Sequence, residues 1–274
     1  VSRRRAGTTM SAEAAHDELI ALVSKTSEGP LLSETARAWC ADVGVLRRYI
    51  DCAEANGCAA ADNAQFLAKT ARWRDAWRVD AMMDDEPLLE YERELRKLLL
   101  YDLATDHVGR PLLIERIGAW DLAALTEAVE AESERIVRAH VLVSERIRRQ
   151  VDGRVREAPT AAQRQAVCVF DMEGIGWAHL RATSLLSAFS TMSRLDTENF
   201  PDTLGHIFVV NGSRIFTALW AIASTFLAES TCAKVSVFSW SEAEPMRAAL
   251  REACGADALP QELGGTRADA PPYH

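Results

Sequence analysis

Residues 167–170 form an unbroken apolar run, Val-Cys-Val-Phe, that gives way at Asp171 to a Gly174-Ile-Gly176 break; an apolar-periodic stretch resumes at Leu180. A run this short that ends at glycine reads as a strand buried on both faces, which has no need to alternate. A like signature recurs at residues 112–114 before Gly118 and at 206–210 before Asn211-Gly212, and 234–238 reads as a fourth strand. The intervals carry helical spacing. Leu125, Val129, Ile136, His140, Val143, Ile147 and Val151 share one stripe over residues 122–151, and further helices are expected at 180–192, 215–227 and 242–253. Strand followed by helix, four times over, predicts an α/β domain with a mixed, largely parallel sheet. In open sheets of that kind, sites gather at the carboxyl ends of the strands.

Upstream, the pattern is helical alone. Leu19, Ile20, Leu22 and Val23 give one helix that Gly29-Pro30 stops; Leu31, Leu32, Ala36, Trp39 and Val43 give a second apolar set, and Val45, Leu46, Tyr49 and Ile50 a third, closed by Asn56-Gly57. Asp62 is the expected cap of a helix that buries Phe66, Leu67, Thr70, Trp73 and Trp77. Residues 82–87 read as an acidic connector, 88–101 as another helix, and 106–111 as a turn cluster. The division predicted is a small all-helical N-terminal domain over 10–85, an α/β lobe over 86–266 and a tail at 267–274.

One helix stands out. Between Arg214 and Glu229 lie fourteen uncharged residues, with Ile215, Leu219, Ile222 and Phe226 on one ridge and Phe216, Trp220, Ala223 and Leu227 on the next. Fourteen residues rise about 21 Å, too little for a hydrocarbon core of ~30 Å. Such a helix is either core, sandwiched between sheet and other helices, or the wall of an apolar cavity that can touch a membrane interface.

Composition narrows the classes. The 274 residues are 48% hydrophobic and carry 31 basic against 40 acidic side chains, a formal charge of −9. That balance argues against nucleic acid as the partner, since phosphate-backbone binding needs a positive face; the three arginines at 3–5 read as a solvated tail. The six cysteines have no Cys-x-x-Cys pair, which points to reduced thiols rather than a metal site. The first 20 residues lack an apolar signal region, and no run reaches the ~18 apolar residues of a membrane span. A cytoplasmic location follows as the expectation.

Catalytic motifs are missing. Gly174-Ile-Gly176 would need a third glycine where His179 stands, so it is a poor dinucleotide fingerprint. The phosphate-binding loop, the nucleophile elbow and the His-Glu-x-x-His zinc motif are absent from the sequence. The expectation is a protein that is not an enzyme and carries no cofactor or metal.

An ordered set of short motifs adds a resemblance. Gly109-Arg110-Pro111 precedes a strand; Phe170-Asp171-Met172-Glu173-Gly174 ends the next; Phe200-Pro201-Asp202 precedes 206–210 with Asn211 after it; Leu259-Pro260-Gln261-Glu262-Leu263-Gly264-Gly265 lies near the end. In this order they resemble the CRAL-TRIO lipid-binding domain, the family of the yeast phosphatidylinositol-transfer protein, over about residues 40–266. Leu46-Arg47-Arg48 and Trp73-Arg74 resemble that family's N-terminal helical part.

The resemblance implies a sheet that floors an apolar lipid pocket, with 215–227 as the mobile helix over its mouth. The pocket and gate residues it implies are Leu113, Cys168, Phe170, Phe208, Val210, Ile215, Phe216, Leu219, Trp220 and Phe226. The polar head-group set it implies is Arg74, Asp202, Thr231 and Lys234: two cations to neutralise a phosphodiester, a hydroxyl donor, and a carboxylate to accept from inositol hydroxyls or hold Lys234. Two departures matter. Ala166 and Cys168 stand where phosphatidylcholine-binding members carry hydroxyls, and Leu113 stands where they carry a pocket tyrosine, so phosphatidylinositol is the favoured ligand. The function implied is binding, and inter-membrane transfer or presentation, of a phospholipid. Its partners would be the phospholipid, a transient membrane surface and a lipid kinase that receives the lipid. The alternatives are a carrier or sensor of a smaller tocopherol-, retinoid- or sterol-like molecule, and a lipid-binding interaction module.

Overall fold

The computed structural model describes residues 11–268; the arginines at 3–5 and residues 269–274 of the expected tail lie outside them. The chain divides into two compact units, one ending at Trp77 and the other beginning at Arg78.

The first unit is built from α1 (Ala12–Val23), α2 (Glu34–Cys40), α3 (Val43–Asn56) and α4 (Ala60–Trp77). Side-chain caps start three of them: Ser11, Ser33 and Asp42 accept from the backbone N–H three residues on. Gly57 ends α3 in the left-handed conformation, φ 64°, as the Asn56-Gly57 turn predicts. Asp62 is not a cap; the helix starts at Ala60, and the carboxylate sits in its first turn, where it meets the positive end of the helix dipole. The core centres on Tyr49, edge-on to Trp39 at 6.3 Å and to Phe66 at 5.3 Å.

The second unit opens with a 3-10 turn (Val79–Asp84) and α5 (Glu86–Leu99), capped by Asp85. Leu100, at φ 50°, ends α5 and turns the chain straight into a strand, β1 (Tyr101–Thr105), where the sequence predicts the helix to run on to Tyr101 and no strand to follow. The expected turn cluster then makes a hairpin. Asp106 Oδ1 accepts from the N–H groups of Val108 (3.0 Å) and Arg110 (2.7 Å), and Gly109 supplies a φ of +87°. The remaining strands are β2 (Pro111–Glu115), β3 (Ala166–Asp171), β4 (Leu204–Gly212) and β5 (Val235–Ser239). There are thus five strands rather than four in the described residues, in the order β1-β2-β3-β4-β5, with β1 antiparallel to β2 and the rest parallel.

The crossovers are α6 (Leu122–Gly153), then α7 (Trp177–Arg181) with α8 (Thr183–Asn199), then α9 (Arg214–Ala223) with a 3-10 turn (Ser224–Phe226) and α10 (Glu229–Cys232); α11 (Ala243–Cys254) follows β5. Parallel crossovers are right-handed, and here each moves one strand in the same direction, so all three stack on one face of the sheet. The strand order never reverses. The crevice that a reversal opens at strand carboxyl ends is therefore missing.

The two faces differ in packing. On one, Leu112, Ile114, Val167, Val169, Phe208 and Val210 pack tightly on Met246, Leu250 and Cys254 of α11. On the other, Cys168, Ile207, Val209 and Phe216 form a smaller buried group, edged by side chains that stay half-exposed. Helix α6 is longer than expected and breaks at Glu132, the one residue in it with non-helical angles. Of its expected stripe, Val143 and Ile147 are only half-buried, whereas Glu145, Arg148 and Asp152 are buried. Arg148 makes this possible by bonding both oxygens of Glu145 (2.8 and 2.7 Å) and one of Asp152 (2.5 Å).

Candidate functional site

Strand register lays out the loosely packed face. Leu113 aligns with Cys168, Cys168 with Ile207, and Ile207 with Val235; one row on, Glu115 aligns with Phe170, Phe170 with Val209, and Val209 with Val237. Alternate residues of a strand point to opposite faces. Leu113, Cys168 and Phe170 of the expected pocket therefore share this face, but Phe208 and Val210 do not: both pack on the α11 side. The resemblance implies one pocket for all five, and the unbroken apolar runs do not show which face each residue takes.

Above this face stands α9. Phe216 is 5% exposed and roots the helix in the buried group, while Leu219 and Trp220 are half-buried against it. The helix ends at Ala223, short of the expected Leu227, so Phe226 sits in the 3-10 turn beyond it. There it meets Phe189 of α8 edge-on at 6.4 Å. Ile215 is half-buried, and Ile222 is exposed on the outer side with Thr217, Ala218 and Ala221. Sheet, α8 and α9 thus border a partly exposed apolar surface, the candidate lipid cleft, with an uncharged outer helix face.

The polar candidates fall elsewhere. Asp202 (φ 57°) accepts from Gln165 Nε2 at 2.6 Å, just before β4. Lys234, just before β5, donates from Nζ to the Leu204 carbonyl, and its own N–H bonds the Thr231 carbonyl at 3.0 Å. Asp202, Thr231 and Lys234 thus share the amino-terminal end of the parallel strands. Arg74 belongs to the first unit, on α4, where its guanidinium lies 4.6 Å over the Trp39 ring.

A further polar group was not foreseen in the sequence. On α6, His140 Nε2 lies 2.9 Å from Asp196 Oδ1 of α8, and Ser144 Oγ donates to the same oxygen at 3.2 Å. Glu115 of β2 faces this group. Burial pushes its carboxyl up to about 7, against smaller opposing effects of His140 and of a hydrogen bond from Trp120. Burial opposes the charge on His140, but Asp196, with help from Glu115, outweighs it and raises its proton affinity. Burial, then Glu115 and Asp196, push the Cys168 thiol up to about 12, so it stays a neutral lining residue. Glu115 could have been noticed as the one charge closing an otherwise apolar strand; His140 had been counted as part of an apolar stripe.

Among the described residues, no group of three or more His, Cys, Asp or Glu side chains could hold a metal ion, and no helix is long and apolar enough to cross a membrane.

Comparison with known proteins agrees with this architecture. The solved crystal structure of Sfh5 superposes with a TM-score of 0.65 at 14% identity, covering 94% of this chain and 88% of that one, a likeness of fold. Two Arabidopsis thaliana relatives are the phosphatidylinositol/phosphatidylcholine transfer proteins SFH12, 26% identical over 205 residues (74% of this chain, 36% of the relative), and SFH11, 30% identical over 195 residues (71% and 50%). The chain spans about a third to a half of the length of these relatives. The sequence profile of the CRAL/TRIO domain matches residues 95–265, which takes in the whole sheet, the cleft and α9. With the profile covering every element that builds the cleft, this chain belongs to the CRAL/TRIO domain family.

Proposed function

We propose that the cleft holds the acyl chains of a phospholipid, most favourably phosphatidylinositol, and that the protein carries it between membranes or presents it to a lipid kinase without chemical change. One observation carries the reading: the contrast between the two faces of one sheet. Toward α11 the large apolar side chains are buried, with Phe238 alone of them partly open. Toward α9, Leu113, Phe170, Leu219, Trp220 and Val235 remain half-exposed around a small buried group. Each CH₂ left in water costs ~0.8 kcal/mol, so a face of this kind gains by accepting an apolar ligand. The relatives' names, phosphatidylinositol/phosphatidylcholine transfer proteins, point to the class of ligand.

The head-group assignment rests on Asp202, Thr231 and Lys234 lying at one end of the sheet, with Lys234 the phosphate partner. Leu113, Ala166 and Cys168 offer no hydroxyl to a choline head, which favours inositol. The uncharged outer face of α9, with Trp177 (63% exposed) and Trp240 (74% exposed) at the carboxyl ends of the strands, suits transient contact with a bilayer surface from the cytoplasm.

Native mass spectrometry of the purified protein, followed by vesicle-to-vesicle transfer of phosphatidylinositol, tests this. Lys234→Ala should lower transfer at least tenfold, the loss of a charge-assisted bond of about 1.5–3 kcal/mol. Undiminished transfer by that variant would remove the head-group assignment. A protein that takes up no lipid from vesicles would remove the carrier reading itself.

A further inference from the structure

Glu115 has an unusual position. It ends β2 on the cleft face, beside Phe170 in the sheet and one row from Leu113 and Cys168. Among the described residues no lysine or arginine pairs with it. His140 is the one nearby cation that acts on it, and His140 is already held by Asp196 at 2.9 Å. Asp196 also takes the Ser144 hydroxyl. The acid–imidazole pair is thus satisfied, while Glu115, beside the Trp120 indole, has only this shared His140 as a neighbouring cation among the described residues. The Asp202, Thr231 and Lys234 group cannot supply one, because it lies at the amino end of the strands and Glu115 at the carboxyl end.

A carboxylate at an apolar wall is stabilised by a cation that brings its own apolar body. A primary ammonium suits it better than a quaternary one: its N–H groups can donate to the carboxylate oxygens, whereas a quaternary head has no N–H and is held by aromatic cages. We propose that Glu115, steadied by the neighbouring His140–Asp196 pair, receives the primary ammonium group of a long-chain amphiphile whose tail runs over Leu113, Cys168 and Phe170. The ammonium could belong to an aminophospholipid or to a free long-chain amine. This inference rests on the lipid-cleft reading and adds a second ligand class to it.

The site is proton-linked. The groups facing Glu115 are Tyr101 across the hairpin, which bonds Glu92 through its hydroxyl, Cys168 on β3, His140 on α6 and Asp196 on α8. Tyr101 and Cys168 stay protonated throughout the neutral range, because burial raises both. Glu115 is then the group that changes an ammonium's welcome near pH 7: it accepts when ionised and loses its attraction when protonated.

The test uses the whole chain, equilibrated with phosphatidylcholine vesicles that contain sphingosine, N-acetylsphingosine, phosphatidylethanolamine or phosphatidylinositol, then re-isolated for native mass spectrometry. The expected result at pH 8 is uptake of sphingosine or phosphatidylethanolamine at least tenfold above N-acetylsphingosine, falling severalfold at pH 6. Glu115→Gln should abolish this preference while phosphatidylinositol is still loaded. Sphingosine alone identifies the free amine as the source, and phosphatidylethanolamine alone the phospholipid. Equal uptake of sphingosine and N-acetylsphingosine, or a preference that survives Glu115→Gln, overturns the proposal. Loading of phosphatidylinositol without either amine overturns it and leaves the carrier reading standing; no loading of any lipid overturns both.

Discussion

Asp171 Oδ1 accepts a hydrogen bond from the side-chain amide of Asn211 at 2.7 Å, and so ties the carboxyl end of β3 to that of β4. The same oxygen takes the Glu173 N–H at 3.0 Å, and Met172 N–H reaches the Val210 carbonyl at 3.0 Å. Both chain exits from the sheet, toward α7 and toward α9, therefore start from one buried carboxylate. Asp171→Ala should destabilise the second unit by about 1–3 kcal/mol, the penalty for leaving buried donors without an acceptor. Urea unfolding would measure it, and hydrogen exchange should speed up at 172–177 and 211–216 before it does in β3. Uniform exchange across the sheet would mean that the carboxylate does not set these turns.

Phe216 and Trp220 share one helix but have different surroundings. Phe216 is sealed in the buried group, and Trp220 is half-open to the cleft. Phe216→Ala should cost about 3–5 kcal/mol, as for other large-to-small changes in a core. Trp220→Ala should cost less than half of that, yet should slow phosphatidylinositol transfer more per unit of stability lost. Paired melting and transfer assays compare the two. A Trp220 variant that melts as low as the Phe216 variant would make the whole helix plain core.

Glu115 also predicts a pH dependence of stability. Its folded pKa, about 7, lies above the ordinary carboxylate value of 4.5, so the neutral form is the one the fold favours. The advantage is complete below the ordinary value and is lost as pH rises through about 7. His140, whose proton affinity is also raised, acts in the same direction. Between pH 5 and pH 8, wild type should lose roughly 2–3 kcal/mol relative to Glu115→Gln. Denaturant midpoints of both proteins at the two pH values give the difference directly. A constant gap would show that the carboxyl is solvated in the folded state.

Much of the fold could be read from the chain, and the failures have physical causes. Residues 167–170 and 206–210 read as strands because a short apolar run closed by a glycine-containing turn has few other readings, and 234–238 because valine and phenylalanine alternate with polar residues. β1 escapes because Leu100 turns the chain without glycine or proline, so the expected helix takes in Tyr101 and leaves too short a remainder to read as a strand. Phe208 and Val210 were assigned to the cleft because a strand buried on both faces carries no alternation to tell inside from outside. The Glu115, His140 and Asp196 group was hidden for a different reason: its members lie on β2, α6 and α8, and only the crossovers bring them together. Gly174 was set aside as a nucleotide motif, and the structure gives it another role. With φ at +94°, it lies so close to Gly118 that a Cβ would come within 2.8 Å of the Gly118 carbonyl oxygen. The glycine permits two backbones to touch.

The strands stand side by side in the order in which they leave the ribosome. At every stage of synthesis the newest strand forms a free edge of the growing sheet opposite β1, and the next strand to emerge is the one that belongs there. No strand has to wait for a later one, and none has to be threaded between two already paired. Synthesis at ~5–20 residues per second is slow beside hairpin formation in microseconds, so the β1–β2 hairpin can serve as a template before β3 exists. The last edge to be covered is that of β4, and β5 then becomes the outer strand.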